Sequence, residues 1–238
     1  LSDDAWANIL ELNLRFQRPA VSDEDIEATD VLDLLQQLVP VLAAFSGLAS
    51  DRMTRTLGWR FQEIGKRMEA AYHLAWLLRS TLSDNKKDQL VLLDALLDTA
   101  DSMLTYRTRY LADLQSLPVL DLLLTDLTNP RSIAYQLDMI HQHIQALPRV
   151  EDVQLQRDQR LALSMLNRVR LADVHQLNER DKFNRRSALG HLLDELIQNL
   201  PELSNAISSQ YLIHTRLTRQ GQLPEGPVPK KAKSKGDA

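Results

Sequence analysis

Apolar residues that recur every three or four positions are the feature that most restricts what this 238-residue chain can fold into. The series is clearest between Leu57 and Arg79, where the steps alternate between four and three residues. Its members are Leu57, Phe61, Ile64, Met68, Ala71, Ala75 and Leu78. This spacing places the side chains on one face of an α-helix. The segment is therefore predicted to be a helix.

The same periodicity covers most of the chain and predicts an all-α fold. Leucine occurs 46 times, whereas aromatic residues make up only 5%, a balance that favours helices over strands. No window alternates between apolar and polar residues in the way a strand requires. We expect an antiparallel bundle of about seven to nine helices without a sheet. The bundle is expected to occupy residues 1–220 as a single domain, followed by a disordered Pro- and Lys-rich tail at 221–238.

Prolines and long periodic runs set the predicted helix boundaries. Residues 86–114 and 151–178 each continue the helical pattern and are predicted as long helices. Pro40 is expected to kink or split the helix that contains it. The segment 186–217 is expected to form two helices that separate near Pro201.

The composition excludes several kinds of chemistry. The chain has no cysteine, which rules out disulfides, cysteine nucleophiles, thiolate zinc sites and cysteine-ligated iron–sulfur clusters. Only four of its seven glycines precede residue 221, too few for a glycine-rich phosphate loop in the body of the chain. Neither a His-Glu-x-x-His motif nor a duplicated Glu-x-x-His motif occurs. We therefore expect neither a metal nor a cofactor.

The charge distribution bears on partners and location. The formal net charge is −4, and the tail contributes four lysines against Glu225 and Asp237, so the body carries −4 − 2 = −6. An acidic body is a poor binder of nucleic acid. The first residues lack the basic and apolar regions of a signal peptide, and no window approaches 18 uncharged apolar residues. We expect a cytoplasmic protein with no nucleic-acid and no membrane partner.

The helix predicted at 57–79 carries the first cluster of candidate functional residues. Because it is apolar on three sides, we expect it in the middle of the bundle with its charged residues drawn inside. These residues are Arg60, Glu63, Arg67 and Glu69. The spacings of Arg60 to Glu63 and of Glu63 to Arg67 allow ion pairs. Two interpretations stay open, a structural salt-bridge ladder and a polar pocket whose arginines hold a carboxylate or phosphate.

A second cluster follows in the sequence. It comprises Tyr106, Arg107, Arg109, Tyr110, Asp121, Asp126, Asn129, Arg131 and Ser132. Asp121 lies among leucines and is expected to need a basic partner, for which Arg107 or Arg131 could serve. Asn129 is predicted to be the N-cap of a helix that has Pro130 at its first position. Arg131 in that first turn could help to bind an anion, or could form only a structural ion pair.

These residues also carry a resemblance to a known family. The matching motifs are Phe45-Ser46-Gly47-Leu48, Met53-Thr54-Arg55, Gly58-Trp59-Arg60-Phe61 with Gly65-Lys66-Arg67-x-Glu69, Asp121-Leu122-Leu123-Leu124 with Asp126, Asn129-Pro130-Arg131-Ser132, Gln136-Leu137 with His143, and Tyr211 with His214. In this order, from about residue 31 to 217, they resemble the bacterial alpha-E domain, an all-helical family. The resemblance adds Gln136, His143, Tyr211 and His214 to the candidate ligand-binding residues. From the residues alone, Tyr211 and His214 share a helical stripe, which favours a packed, hydrogen-bonded histidine.

The resemblance also implies partners. It points to a helical domain of undetermined activity, fused to or encoded beside circularly permuted ATP-grasp amide ligases and transglutaminase-like proteases. The chain departs from the family pattern at Ala70, where an arginine often follows the glutamate, and at Lys66, which replaces an arginine. Family members usually begin with a further helix bearing a Gly-Arg-x-x-Glu-Arg pattern. Leu1 is therefore expected to lie downstream of the true beginning.

Two functions are compatible with the sequence. The first is a helical accessory or substrate-binding domain that works with an ATP-grasp amide (peptide) ligase and has no catalytic machinery of its own. The alternative is an independent hydrolase or amide transferase, in which Glu63 or Glu69 acts as general base and the arginines bind a substrate carboxylate.

Overall fold

The computed structural model describes residues 3–16, 28–83, 90–111, 113–149 and 154–212. These residues form ten α-helices and two short π-helices, with no strand among them, so the all-α fold is confirmed. The chain divides into two compact units, Leu1–Lys66 and Arg67–Ala238. The prediction of a single domain stays a prediction. The predicted disordered tail lies outside the described residues.

The first unit contains α1 (Asp3–Phe16), α2 (Ala28–Arg52) and the beginning of α3 (Leu57–Leu82). In the second unit the elements after α3 follow in this order: α4 (Leu90–Thr99), α5 (Met103–Tyr110), α6 (Ser116–Leu120), π1 (Asp121–Thr125), α7 (Ile133–Gln145), α8 (Arg157–Arg170), α9 (Val174–Asn178), α10 (Ser187–Ile207) and π2 (Ser208–Leu212).

In the first unit α1 packs against α2 and runs antiparallel to it. Asp4 near the start of α1 pairs with Arg52 at the end of α2, and Arg15 donates a hydrogen bond of 2.9 Å to the Gln37 carbonyl oxygen. Pro40 lies inside α2, so the predicted split does not occur. Pro40 lacks the N–H that would donate to the Gln36 carbonyl oxygen, so one helical hydrogen bond is lost while the helix continues.

α2 is unusually apolar for a helix with little buried surface. Its exposed large side chains are Val31, Leu32, Leu35, Val39 and Leu42. By length and composition alone, α2 is long and apolar enough to cross a membrane. The sequence-based expectation that no segment is of this kind is therefore wrong for α2. It failed because Gln36, Gln37 and Pro40 interrupt the run of apolar residues without adding a charge.

α3 confirms the predicted helix but not its predicted surroundings. Its buried residues include Ile64, Met68, Ala71, Ala75 and Leu78, which form one face. Glu69 and its neighbour His73 have side chains that are 75% and 74% exposed, and Trp76 is also exposed. The prediction that Glu69 is buried because α3 is apolar on three sides is wrong. Small and aromatic side chains count as apolar in a pattern yet tolerate exposure, so they do not by themselves require burial.

The core of the second unit is built around α6 and π1. Leu120, Leu122, Leu123 and Leu124 are completely buried. α7 packs on π1 and on α8, while α10 packs on α8 and α9. Burial of a leucine side chain contributes about 1.5–3 kcal/mol, so this run anchors the segment that follows it.

Three helix boundaries differ from those predicted. The helix predicted over 86–114 ends early, because Asp101 adopts a left-handed backbone with φ of 48° between α4 and α5. The helix predicted over 151–178 is divided by Asp173, whose carboxylate accepts the His175 N–H at 2.9 Å and caps α9. α10 continues through Pro201, which is exposed, so water can bond the carbonyl that the proline leaves without a donor.

Candidate functional site

Several of the predicted site residues meet in the second unit, where α5, π1 and the beginning of α7 come together. We call this cluster the α5–α7 site. Its members are Arg67, Tyr106, Arg107, Arg109, Tyr110, Asp121, Asp126, Thr128, Asn129, Arg131 and Gln136. The cluster follows the buried leucines of π1, which fix the position of the segment that carries the acidic residues.

π1 brings two carboxylates to the same part of the molecule. The Asp126 N–H donates to the Asp121 carbonyl oxygen at 3.0 Å, a bond that spans five residues. Leu122 to Leu124 point into the core, while Asp121 and Asp126 are half-buried. π-turns are rare and often lie at functional sites.

Asp121 is held by hydroxyl groups. It accepts from the Tyr110 phenol at 2.6 Å and from the Thr125 hydroxyl at 3.0 Å. The predicted ion pair with Arg107 or Arg131 is wrong, because two neutral donors already satisfy the carboxylate. Burial, followed by the hydrogen bond to Asp121, raises the pKa of Tyr110 well above its usual range.

Asp126 is the anchor of the site. It pairs with Arg109, and one of its carboxylate oxygens accepts both the N–H and the hydroxyl of Thr128 at 2.8 Å. Arg109 also donates to the Thr128 hydroxyl at 2.8 Å. Burial alone would raise the pKa of Asp126, but the bonds from Thr128 and Arg109 outweigh it and hold that pKa below the usual range. Asp126 is therefore an anion with several fixed donors.

The basic partner of Asp126 belongs to the predicted second cluster but was not among the predicted ligand-binding residues. Arg107 was selected from the sequence, whereas Arg109, two residues later, makes the contact. Two residues differ by roughly 200° around a helix, so the two arginines point to opposite sides of α5. The periodicity of α5 would have separated them only if its buried face had been known.

Asn129 does not cap α7. Its side-chain oxygen accepts the Arg131 N–H at 3.1 Å, and its amide donates to the Leu122 carbonyl oxygen at 3.0 Å. The N-cap is Ser132, which accepts the Tyr135 N–H at 3.0 Å. The predicted cap is wrong because three residues, 130–132, separate the turn at Asn129 from the start of α7. Arg131 therefore lies outside the first helical turn that was expected to bind an anion.

Gln136 and Arg67 connect α3 with α7 inside the second unit. Arg67 donates to the Gln136 side-chain oxygen at 3.2 Å, and Gln136 donates to the Pro130 carbonyl oxygen at 2.5 Å. The Arg67 guanidinium also lies 5.5 Å from the centre of the Tyr135 ring. Arg60 and Glu63 belong to the first unit, so the predicted ladder through Glu63 stays a prediction.

Tyr106 has a structural role. It is completely buried, and its phenol donates to the Asp113 carbonyl oxygen at 3.0 Å and accepts the Gln115 N–H at 3.2 Å. These two bonds hold residues 113–115 beside α5.

Arginines form the exposed edge of the site. The side chains of Arg109 and Arg131 are 39% and 56% exposed, and Arg107 is also exposed. Arg131 pairs with Asp101 at 2.5 Å. Arg107 lines a shallow concavity of about 300 Å³ that also includes Asp101. We call Arg109 and Arg131 the arginine edge.

The remaining predicted residues lie elsewhere. His143 is buried on α7. Tyr211 is half-buried in π2 and accepts a hydrogen bond of 3.1 Å from the Gln210 amide, and burial raises the pKa of its phenol. His214 lies outside the described residues. Among the described residues no group of three or more histidines, aspartates and glutamates is arranged to hold a metal ion.

A buried ion pair was missed from the sequence. Arg149 donates to both carboxylate oxygens of Asp158, at 2.8 and 3.2 Å, and Asp158 is completely buried. Arg149 also donates to the Gln156 side chain at 3.2 Å. The pair joins the end of α7 to the beginning of α8 across nine residues, a separation to which no helical spacing rule applies.

Arg186 is a second buried arginine that the sequence did not reveal. It is 1% exposed. Its guanidinium donates to the Leu82 carbonyl oxygen at 2.9 Å, to the Ser116 hydroxyl at 2.9 Å and to the Asn178 side chain at 3.0 Å. It thereby ties the end of α3 to α6 and α9. The sequence carries no signal for these contacts, because the acceptors in the described residues are backbone oxygens and neutral side chains.

The raised pKa of the Tyr110 phenol leads to a testable prediction about stability at high pH. Its raised pKa means that the phenol contributes stability that is present below about pH 10 and is lost as the pH rises further, because the unfolded chain then ionises first. We expect the urea midpoint of the native chain to fall more steeply above about pH 10 than that of Tyr110→Phe. Tyr72→Phe is the matched control. Equal slopes in the native chain and Tyr110→Phe would contradict the assignment.

Comparisons with known proteins agree with the helical architecture. A family model for the Alpha-E domain, described as a predicted alpha-helical domain with a conserved ER motif, matches residues 1–212. Uncharacterized proteins of Mycobacterium bovis and of two strains of Mycobacterium tuberculosis are 27% identical over 216 residues. The match covers 89% of this chain but only 24% of each relative, so the chain spans about a quarter of their length. No solved structure matches at a significant level.

Proposed function

Because the chain belongs to the Alpha-E family, we propose that it is a helical accessory domain that works with an ATP-grasp amide (peptide) ligase. In this proposal the domain holds a partner or substrate and supplies no catalytic group. The observation that carries it is the α5–α7 site, in which a hydrogen-bonded frame formed by Asp121, Asp126 and Thr128 lies beside the exposed arginine edge. The proposal places the protein in the cytoplasm, where ATP is available.

The frame is suited to holding arginines in place. A general acid or base must exchange protons with a substrate, which requires an accessible group with a pKa near the working pH. Asp126 instead has a lowered pKa and is bonded to Thr128 and Arg109. Its chemistry is that of a fixed counter-ion that orients a guanidinium.

The arginine edge is suited to anionic groups. Guanidinium groups bind carboxylates and phosphates through two parallel hydrogen bonds. Peptide substrates and acyl phosphates of amide ligases carry such groups. Arg109 and Arg131 are each exposed by a third or more and already oriented by an aspartate, so a ligand would meet arginines of defined position.

The length of the relatives is consistent with a domain that acts together with other segments. The matched region accounts for 24% of their length, which leaves most of each relative for other segments. A hydrolase or transferase that uses Glu69 as a buried base is not favoured, because the Glu69 side chain is 75% exposed beside His73.

The test is a binding and rate assay with an ATP-grasp ligase from the organism that encodes this chain. We expect association at micromolar concentration and a changed rate of ATP-dependent amide formation, measured as ADP release. Arg109→Ala with Arg131→Ala is expected to weaken association about tenfold, which corresponds to about 1.4 kcal/mol. Arg157→Ala is the matched control, because Arg157 is an exposed arginine paired with Glu202 outside the site. Absence of both association and a rate change would reject the proposal.

A further inference from the structure

The uncovered side of α2 is the most anomalous surface in the described part of the chain. Its five large apolar side chains, which we call the α2 stripe, are Val31, Leu32, Leu35, Val39 and Leu42, and each is 46–63% exposed. At 100° per residue they fall within an arc of roughly 100°. The charged residue within its span, Asp33, lies roughly 100° outside this arc, and no charged residue occurs from residue 34 to 50. The stripe therefore runs for several turns as an apolar surface without a charge.

The hairpin of α1 and α2 does not bury this stripe. The buried residues of α2 are Leu38, Val41 and Ala49, while α1 is fixed to α2 through Arg15 and Asp4. A contiguous apolar surface of this size is near the upper end of what monomeric proteins expose, and such patches are often functional.

The size and chemistry of the stripe define its partner. Five half-exposed side chains present roughly 500 Å² per copy, so two stripes together reach roughly the 1,000 Å² that a specific interface needs. A surface without charge offers nothing to a nucleic acid, an acidic peptide or a lipid headgroup. It can, however, face an identical surface without burying an unpaired charge. A two-fold axis brings the same patch of two copies together, so the stripe of one copy would pack against the stripe of the other.

A lipid bilayer is less suitable than a second copy. α2 is attached to α1 by the Arg52–Asp4 ion pair, and Arg15 bonds the middle of α2. Insertion of α2 would either break these contacts or draw the charges into the hydrocarbon, which costs several kcal/mol per charge.

We propose that the α2 stripe is a self-association surface, on which the same stripe of a second copy of this chain packs about a two-fold axis. This goes beyond the accessory function and does not depend on it. The ligase assay can fail while the chain still pairs, and the reverse also holds.

The first experiment measures mass by light scattering coupled to size-exclusion chromatography at micromolar concentration. We expect 2 × 27.1 kDa for the native chain. Leu35→Glu is expected to return it to the mass of one chain, because a dimer would then bury a carboxylate at the interface. Ala44→Glu is the matched control, since it adds the same charge to an exposed position on the far side of α2. Circular dichroism establishes that both variants fold.

The second experiment does not depend on the folding of a charged variant. The chain has no cysteine, so a single cysteine gives no background cross-link. Leu35→Cys, Val39→Cys and Leu42→Cys are oxidised separately and analysed on non-reducing gels. The position nearest the two-fold axis is expected to form a disulfide-linked dimer, because this bond requires Cα atoms within about 7 Å. Ala44→Cys, on the far side, is expected to stay unlinked.

Three results would overturn the proposal. The first is the mass of a single chain together with the absence of a cross-link at all three stripe positions. The second is a dimer that persists in Leu35→Glu, which would place the interface elsewhere. The third is a single-chain mass in solution together with co-sedimentation on phosphatidylcholine–phosphatidylglycerol vesicles that Leu35→Glu abolishes, which would assign the stripe to a membrane.

Discussion

Arg149→Met is expected to lower the free energy of unfolding by about 3–5 kcal/mol, because it leaves a buried carboxylate without its cation. Asp158 is completely buried and receives two hydrogen bonds from Arg149. Urea unfolding at neutral pH, followed by circular dichroism, measures the loss. Arg157→Met is the matched control, since the side chains of Arg157 and Glu202 are 68% and 53% exposed. An exposed pair contributes less than about 1 kcal/mol.

A double variant separates the net value of the pair from the cost of breaking it. Replacing both Arg149 and Asp158 with apolar residues of similar size removes the unpaired charge, so we expect Arg149→Met with Asp158→Leu to regain most of the stability. A loss below about 1 kcal/mol in Arg149→Met would contradict the buried pair.

Arg186→Lys is expected to lower the free energy of unfolding by about 3 kcal/mol although it keeps the charge. The guanidinium reaches Leu82, Ser116 and Asn178 from separate nitrogens, whereas a lysine has one nitrogen on a flexible stem. At least one buried oxygen would then lose its donor. Thermal and urea unfolding of the variant measure the change, with the exposed neighbour Arg185→Lys as the matched control.

Equal stability of Arg186→Lys and the native chain would show that charge alone matters at this position. A second variant, Ser116→Ala, removes one of the acceptors of the Arg186 guanidinium and is expected to cost about 1 kcal/mol, since a single neutral partner is lost. The ordering of these losses tests whether the arginine acts as a branched hydrogen-bond donor between helices.

Helix positions could be predicted from periodicity wherever one face is buried. The series from Leu57 to Leu78 predicts α3 because its apolar residues repeat once per turn. Breaks were harder to predict, because Asp101 and Asp173 interrupt the predicted helices through local backbone and cap geometry that leaves the apolar pattern intact. Pro201 was misjudged for the opposite reason, since an exposed proline need not end a helix.

Site residues were predictable by type but not by partner. Asp126 and Asn129 do lie together, since Ser132 bonds the backbone oxygens of both, whereas Gln136 was a candidate only through the family resemblance. Their roles depend on which side of α5 each arginine faces and on where α7 begins, and both depend on tertiary packing. Arg149 and Arg186 escaped notice because burial of an arginine is decided by partners distant in sequence.

The five-residue bond in π1 also makes the arginine edge sensitive to chain length. A π-turn contains one residue more than the corresponding α-turn. Deleting any one of Leu122, Leu123 and Leu124 would leave a helix of regular pitch, yet it would shift the register of everything that follows by one position. Asp126 would then swing away from Arg109 while every side chain that makes the contact is still present. Insertions and deletions in this segment should therefore be far more damaging than substitutions of similar size.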